Sequence, residues 1–254
     1  MKVEKIVKVK NGYEVYVTGR KFFVYEDVLL KYELLLRKKV SEALIEEILK
    51  DNCFYEMYEK GLKFLKVKMR SVREVFEYLK KEGYDSWNIQ KGIDRYEKEG
   101  YLSDEAYVDS FLHDALSLSL KGPLKMKKEL QAKGIAETFY EDKLEGISNR
   151  VWLDRMKKIG EKRRRADHRS SEKMFKEKLK AYLYQEGYSY EMQGCMENDF
   201  GDNRDQELIR QEIIKGKRSL GYKYSGSALK EKLRMRLYRK GFSLSEIDEA
   251  LKEE

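Results

Sequence analysis

Leu79-Lys80-Lys81-Glu82-Gly83-Tyr84 is one of four segments with the same ending. The others are Leu130-Gln131-Ala132-Lys133-Gly134-Ile135, Leu183-Tyr184-Gln185-Glu186-Gly187-Tyr188 and Leu237-Tyr238-Arg239-Lys240-Gly241-Phe242. In each, glycine comes four residues after leucine and an apolar residue follows. The position four before each leucine is also apolar: Val75, Met126, Leu179 and Leu233. Glycine adopts the left-handed backbone that ends a helix without a Cβ clash. With Gly83 as the first residue past the helix, Tyr84 folds back onto Leu79, the hydrophobic pair of a Schellman cap. The pattern therefore predicts four helix ends, capped at Gly83, Gly134, Gly187 and Gly241. Tyr96…Gly100-Tyr101 offers the same arrangement at the end of another helix.

The four glycines stand 51, 53 and 54 residues apart. A period of about 50 residues holds three helices of ~10–15 residues with short loops. Helical periodicity supports this: Val72, Val75, Phe76 and Leu79 share one face, as do Trp152, Met156 and Ile159. Ser243-Leu244-Ser245-Glu246 has the form of a capping box that starts the last helix. The expected organisation is four three-helix modules at 54–101, 102–147, 148–200 and 201–254, stacked as an elongated, curved array in which each buries its stripe on its neighbours.

Residues 1–53 read differently. Val7 and Val9 alternate with lysines, Asn11-Gly12 is a tight-turn dipeptide, and Tyr13, Val15 and Val17 alternate again. Gly19-Arg20 suggests a second turn before Phe22-Phe23-Val24-Tyr25. This predicts a small antiparallel β-meander, which needs a helix to pack on, followed by connecting helices. The fold class expected is mainly α.

Composition agrees. There is one proline, Pro123, and 39% of residues are charged, a mixture rich in straight-chain helix formers. The 41% hydrophobic and 12% aromatic content exceeds what a disordered chain carries. The net charge is +8, and its placement is uneven: between Lys121 and Tyr182 there are 19 Lys or Arg against 10 Asp or Glu. Cys53 and Cys195 stand alone, as in a reducing compartment. No apolar run resembles a signal peptide or a membrane span, so the expected location is the cytoplasm.

Three stretches resemble the RecX family of RecA modulators. Arg70-Ser71-Val72-Arg73-Glu74-Val75 with Leu79 and Gly83-Tyr84 resembles its first repeat. Gly100-Tyr101-Leu102-Ser103-Asp104-Glu105-Ala106-Tyr107-Val108 resembles the link into the second repeat. Lys121-Gly122-Pro123, Met126, Glu129-Leu130 and Lys133-Gly134-Ile135 resemble the second repeat's core helix. The likeness is strongest over 65–145 and continues more weakly through both later repeats. One departure stands out. Before the Gly-Pro pair, family members carry a basic stretch, whereas here Leu116-Ser117-Leu118-Ser119-Leu120 holds no charge. The resemblance implies a regulator that binds the RecA recombinase or its filament on single-stranded DNA and restrains filament growth, ATP hydrolysis and strand exchange. The leading expectation is a monomer with neither cofactor nor catalytic centre, aided by a weak affinity for single-stranded DNA. The residues alone also allow a helical-repeat nucleic-acid-binding protein or a protein–protein scaffold.

Nothing in the sequence has the form of a phosphate loop, a paired-cysteine motif or a metal-binding His-Glu-x-x-His. His113 reads as structural or surface, and His168 as a solvated member of a basic run. The candidate binding residues are cationic. Arg163, Arg164 and Arg165, reinforced by Lys157, Lys158, Lys162 and Arg169, form the densest cluster; the apolar stripe ends there, which suggests a helix running past the core into solvent. Its bland reading is a solvated helix end and its functional reading a contact with phosphates or an acidic partner. Lys125, Lys127 and Lys128 crowd a helix start after Pro123, where cations oppose the helix dipole. Lys217 and Arg218, near Gly216, Tyr222 and Tyr224, read either as a basic-aromatic patch or as a flexible loop.

Overall fold

A computed structural model describes residues 1–195 and 205–252. Strands β1 (Val3–Val9), β2 (Gly12–Val17) and β3 (Arg20–Val24) form an antiparallel sheet in that order, with Val9 opposite Gly12 and Val15 opposite Phe22. Alternation puts Val15 and Val17 on one face, where they join Val24 in a core with Val28, Leu29, Tyr32, Ile45 and Ile48. These come from helices α1 (Glu26–Lys31) and α2 (Glu42–Leu65) and the turn after α1. The sheet thus gains the helical cover it needs for stability.

Helix α2 begins where the Ser41 hydroxyl accepts the Leu44 N–H. It runs through the expected boundary at 53/54. Its first half packs on the sheet core, and Met57 and Tyr58 belong to a second core with Val75, Leu79, Ile89, Ile93 and Tyr96. These last five come from α3 (Val72–Lys81) and α4 (Ser86–Lys98). Tyr96 donates to the Tyr58 carbonyl at 2.7 Å, and the two rings stack with centroids 4.6 Å apart.

The chain continues through α5 (Asp104–Leu118), α6 (Pro123–Ala132), a 3-10 turn (Glu137–Phe139), α7 (Glu141–Glu145), α8 (Asn149–Ala166), α9 (Glu172–Gln185), α10 (Tyr190–Gly194), α11 (Asp205–Leu220), α12 (Gly226–Arg239) and α13 (Leu244–Lys252). The protein is mainly α, and among the described residues strands occur only at the N-terminal end. The expected boundary at 200/201 lies outside the described residues. No helix of the described residues is long and apolar enough to cross a membrane.

The core helices α3, α6, α9 and α12 end alike. Gly83, Gly134, Gly187 and Gly241 have φ of 94°, 75°, 93° and 89°. The N–H of the following residue donates to the leucine carbonyl at 3.3, 3.2, 2.9 and 3.4 Å. Leu79, Leu130, Leu183 and Leu237 are buried. Truncating any of them to alanine would cost about 2–5 kcal/mol.

Three of these ends, those of α6, α9 and α12, also dock on the start of an earlier core helix. The Ser71 hydroxyl donates to the Lys133 carbonyl at 2.8 Å, and the Ser171 hydroxyl to the Lys240 carbonyl at 3.0 Å. Between them, Gly122 N–H donates to the Glu186 carbonyl and Leu124 N–H to that of Gly187. One helix's orphan carbonyls meet another's capping residues, which satisfies both sets of end groups. A carboxylate completes two of the junctions. Asp104 accepts the Val72 N–H at 2.9 Å, and Asp205 the Glu172 N–H at 3.0 Å. Burial pushes both carboxyls above their ordinary range.

Two compact units result: Met1–Ser110 with Leu130–Phe139, and the described residues of Phe111–Glu129 with Tyr140–Glu254. The module expected at 102–147 is divided between them. The reason is local: the C-terminal end of α6 docks on α3, while its N-terminal end docks on Gly187.

Candidate functional site

Helix α8 starts at Ser148, whose hydroxyl accepts the Arg150 N–H at 3.3 Å. It buries Trp152, Arg155, Met156, Ile159, Gly160 and Arg164. The sequence suggested a stripe ending at Arg163 and a helix projecting into solvent. The structure corrects this. The buried face continues four residues beyond Gly160 to Arg164, which is 9% exposed with its guanidinium 4.7 Å from the Phe175 ring centroid. A long arginine stem serves as apolar surface there.

Successive helical residues point about 100° apart, so the three arginines separate. Arg164 goes inward. The Arg165 side chain is 84% exposed, with Glu161 3.9 Å away. Arg163 lies over Tyr182 of α9, its guanidinium carbon 3.3 Å from the ring centroid.

Arg163 and Tyr182 line an open groove of about 1260 Å³, walled by α8, α9, the 167–170 turn and residues 117–120. Asp167 organises the turn. Its carboxylate accepts the N–H groups of Arg169 and Ser170 at 3.1 and 2.9 Å and faces the Lys178 ammonium at 3.5 Å. Burial works to raise its pKa, but hydrogen bonds from Ser170 and Arg169 outweigh it and hold the carboxyl at about 2.

The opposite wall is the uncharged stretch at 116–120. Arg155 of α8, 6% exposed, fixes it by donating to the carbonyls of Ala115, Leu116, Ser119 and Lys121 at 2.7–3.2 Å. The Tyr188 hydroxyl donates to the Leu120 carbonyl at 2.9 Å. Leu118 projects outward, 83% exposed.

Charge at the groove is unbalanced. Asp167 is engaged as described, and Glu186 faces Lys125 at 3.0 Å. Lys162, Arg163 and Arg169 have no carboxylate partner among the described residues. The groove can therefore take an anionic ligand with a flat or apolar portion.

The remaining cationic candidates lie elsewhere. Lys125 and Lys127 are held by Glu186 and Glu141 at 3.0 and 3.1 Å, which offsets their unfavourable place at the start of α6. Lys128 is exposed. Lys217 and Arg218 occupy the last turn of α11, where cations complement the helix dipole. The flexible-loop reading of their neighbour Gly216 is corrected: Gly216 is buried inside α11, and an added Cβ would strike Leu233. His113 is 79% exposed beside Asp114, and His168 lines the groove. Cys53 and Cys195 are free and exposed.

Two groove partners were not singled out in the sequence. Tyr182 sits 19 positions from Arg163, a separation with no local periodicity. Arg155 carried a faint signal as a charge inside an apolar stripe.

A sequence profile of the second three-helix domain of RecX matches residues 103–144, and one of the first such domain matches 58–95. The chain is 30% identical over 249 residues to the regulatory protein RecX of Halalkalibacterium halodurans, covering 95% of this chain and 91% of that protein. The chain belongs to the RecX family. A regulatory protein RecX of Streptococcus uberis is 29% identical over 260 residues, spanning 100% of this chain and 99% of that one. A crystal structure of a regulatory protein RecX shares the fold with a TM-score of 0.69 at 24% identity, covering 78% of this chain and 100% of the other. The structure of RecX from Lactobacillus salivarius gives 0.51 at 24% identity, over 61% of this chain and 96% of that one. RecX relatives bear the name of regulatory proteins, and the helices within 58–95 and 103–144 match the family's first and second three-helix domains.

Proposed function

We propose that this protein regulates the RecA recombinase. It binds the RecA filament on single-stranded DNA and inhibits filament growth, ATP hydrolysis and strand exchange. The observation that supports this reading is the end-to-end agreement with a protein named regulatory protein RecX, over 95% of this chain and 91% of that one. The RecA partner follows from that family membership. The protein acts by binding rather than by catalysis, as a monomer in the cytoplasm.

The recurring helix junction suits such a role. The same local docking of a helix end on a helix start recurs along the chain, as in repeat proteins, which suit extended partners. Exposed cations such as Lys128, Arg165 and Arg218 are candidate contacts to the filament. Single-stranded-DNA-dependent ATP hydrolysis by preformed RecA filaments tests the proposal. Hydrolysis should fall as the protein is added. Unchanged hydrolysis and filament length at saturating protein would reject inhibition.

A further inference from the structure

We propose that copies of this protein associate head to tail, the end of α3 in one copy docking on the start of α12 in the next. The proposal goes beyond the regulatory reading and does not rest on it, because both surfaces belong to this chain.

Within the chain one junction occurs three times. The start of α3 receives the end of α6, that of α6 the end of α9, and that of α9 the end of α12. In each, the arriving glycine lies so close that an added Cβ would overlap the receiving helix: Arg73 for Gly134, Lys125 for Gly187 and Met174 for Gly241. These stand two or three positions past Ser71, Gly122 and Ser171, the buried residues that start those helices. The residue after each arriving glycine, Ile135, Tyr188 or Phe242, is buried too. Across two of the junctions an ion pair joins the residue before the glycine to the one three past the start: Lys133 with Glu74 at 2.7 Å and Glu186 with Lys125 at 3.0 Å.

Of the four core helices, one end and one start are left over, and they are complementary. Gly83 closes α3 with the same left-handed cap, yet an added Cβ there would meet nothing within 4 Å. Glu82 is exposed where Lys133, Glu186 and Lys240 are half-buried, and its carbonyl accepts no hydrogen bond among the described residues. Tyr84 is only half-buried, and Trp87, in the first turn of α4, is 71% exposed. At the leftover start, Ser225 stands twelve positions before Leu237, as Ser171 stands before Leu183. Ser171 is buried and bonded to the Lys240 carbonyl, whereas Ser225 is exposed and makes no side-chain cap. The N–H groups of Gly226, Ser227 and Ala228 find no acceptor among the described residues, and nearby Tyr222 is 76% exposed. At the internal junctions, donors of a helix start and carbonyls of a helix end satisfy each other. The occupant that fits the start of α12 is therefore a helix end of this same form, and a second copy brings one. The two surfaces differ, so the contact does not close on itself, and each added copy presents a fresh start and a fresh end. A contact this small is weak and transient, so dilute protein is monomeric.

The test is association of the full chain without RecA or DNA. In sedimentation velocity the mean mass should rise with concentration and should not stop at a dimer. Gly83→Ala, whose methyl is free in the single copy but would overlap a receiving helix, should weaken association by about tenfold. Ala228 stands three past the start, where Lys125 meets Glu186 in an internal junction, and it would face Glu82. Ala228→Lys should therefore strengthen association by up to about fivefold, and Ala228→Glu should weaken it by a similar factor. Circular dichroism confirms that each variant is folded. A crosslink then fixes the polarity. In a Cys53→Ser/Cys195→Ser background, which removes the two free, exposed thiols, Glu82→Cys and Ala228→Cys variants are mixed with a short bismaleimide. The mixture should yield a covalent dimer that neither variant yields alone. Protein monomeric at every concentration, dimers from one variant alone as readily as from the mixture, or Gly83→Ala and Ala228→Glu that associate like wild type would each overturn the proposal. So would crosslinking of Ala228→Cys to RecA subunits in place of Glu82→Cys, which would assign the open start to another protein's helix end. Filament inhibition is read separately. A monomeric protein that still inhibits RecA filaments refutes the head-to-tail contact alone, and an associating protein without effect on filaments supports the contact and refutes the regulatory reading.

Discussion

Replacing Gly134 by alanine should destabilise its unit more than replacing Gly83, although both glycines cap core helices in that unit. The backbone cost is common to both. Their φ values are 75° and 94°, and alanine in the left-handed region costs roughly 1–2 kcal/mol. Lower unfolded-state entropy returns about 0.4–1 kcal/mol, so Gly83→Ala, whose new methyl meets nothing within 4 Å, should cost about 1 kcal/mol. At Gly134 the added Cβ would sit 2.8 Å from the Arg73 Cβ and against its Cδ. Ordinary contact is ~3.5–4.0 Å, so the helix end must retreat by nearly 1 Å. That movement strains the 2.8 Å bond from Ser71 to the Lys133 carbonyl, worth about 1 kcal/mol, and opens the packing around it. Gly134→Ala should therefore cost roughly 2–3 kcal/mol. At a slope of about 2 kcal/mol per molar urea, its denaturation midpoint should lie ~0.5–1 M below that of Gly83→Ala. Equal midpoints, or a lower one for Gly83→Ala, would refute the docking of helix ends as a source of stability.

Arg155→Met should destabilise the second unit by about 3 kcal/mol, since it leaves four carbonyl acceptors without their buried donor; a thermal melt unchanged from wild type would contradict the clamp. Asp167, held at about 2 by its hydrogen bonds, stabilises the fold above the ordinary aspartate pKa, and that contribution is lost as pH falls toward its folded value. Asp167→Asn should therefore flatten the acid limb of stability against pH. Asp205 has the opposite sign: burial raises it, so its contribution is full below the unfolded pKa and is lost as pH rises through the folded one. Asp205→Asn should remove that loss, and a steeper decline in the variant would contradict the assignment.

The capping glycines were legible because a Schellman end is local: Leu, Gly and the following apolar residue lie within six positions. The strands were legible from alternation around Asn11-Gly12. What escaped depends on contacts far apart in sequence. The partner of Arg163 is Tyr182, and the role of Arg155 depends on carbonyls some 34–40 residues earlier. The triplet Arg163-Arg164-Arg165 looked like one cluster because sequence adjacency hides the ~100° turn between neighbours. Gly216 looked like a loop because glycine is a weak helix former; its use in α11 is to admit Leu233. The division of residues 102–147 between two units follows from docking at both ends of α6, which no periodicity encodes.

Co-sedimentation with RecA filaments assembled on single-stranded DNA, in the presence of excess competitor DNA, tests the central claim most directly. The protein should pellet with the filaments, and its pelleting should persist as competitor rises, because the recombinase supplies the main grip. Pelleting abolished by modest competitor, with no binding to DNA-free RecA, would contradict it and leave a plain nucleic-acid-binding protein.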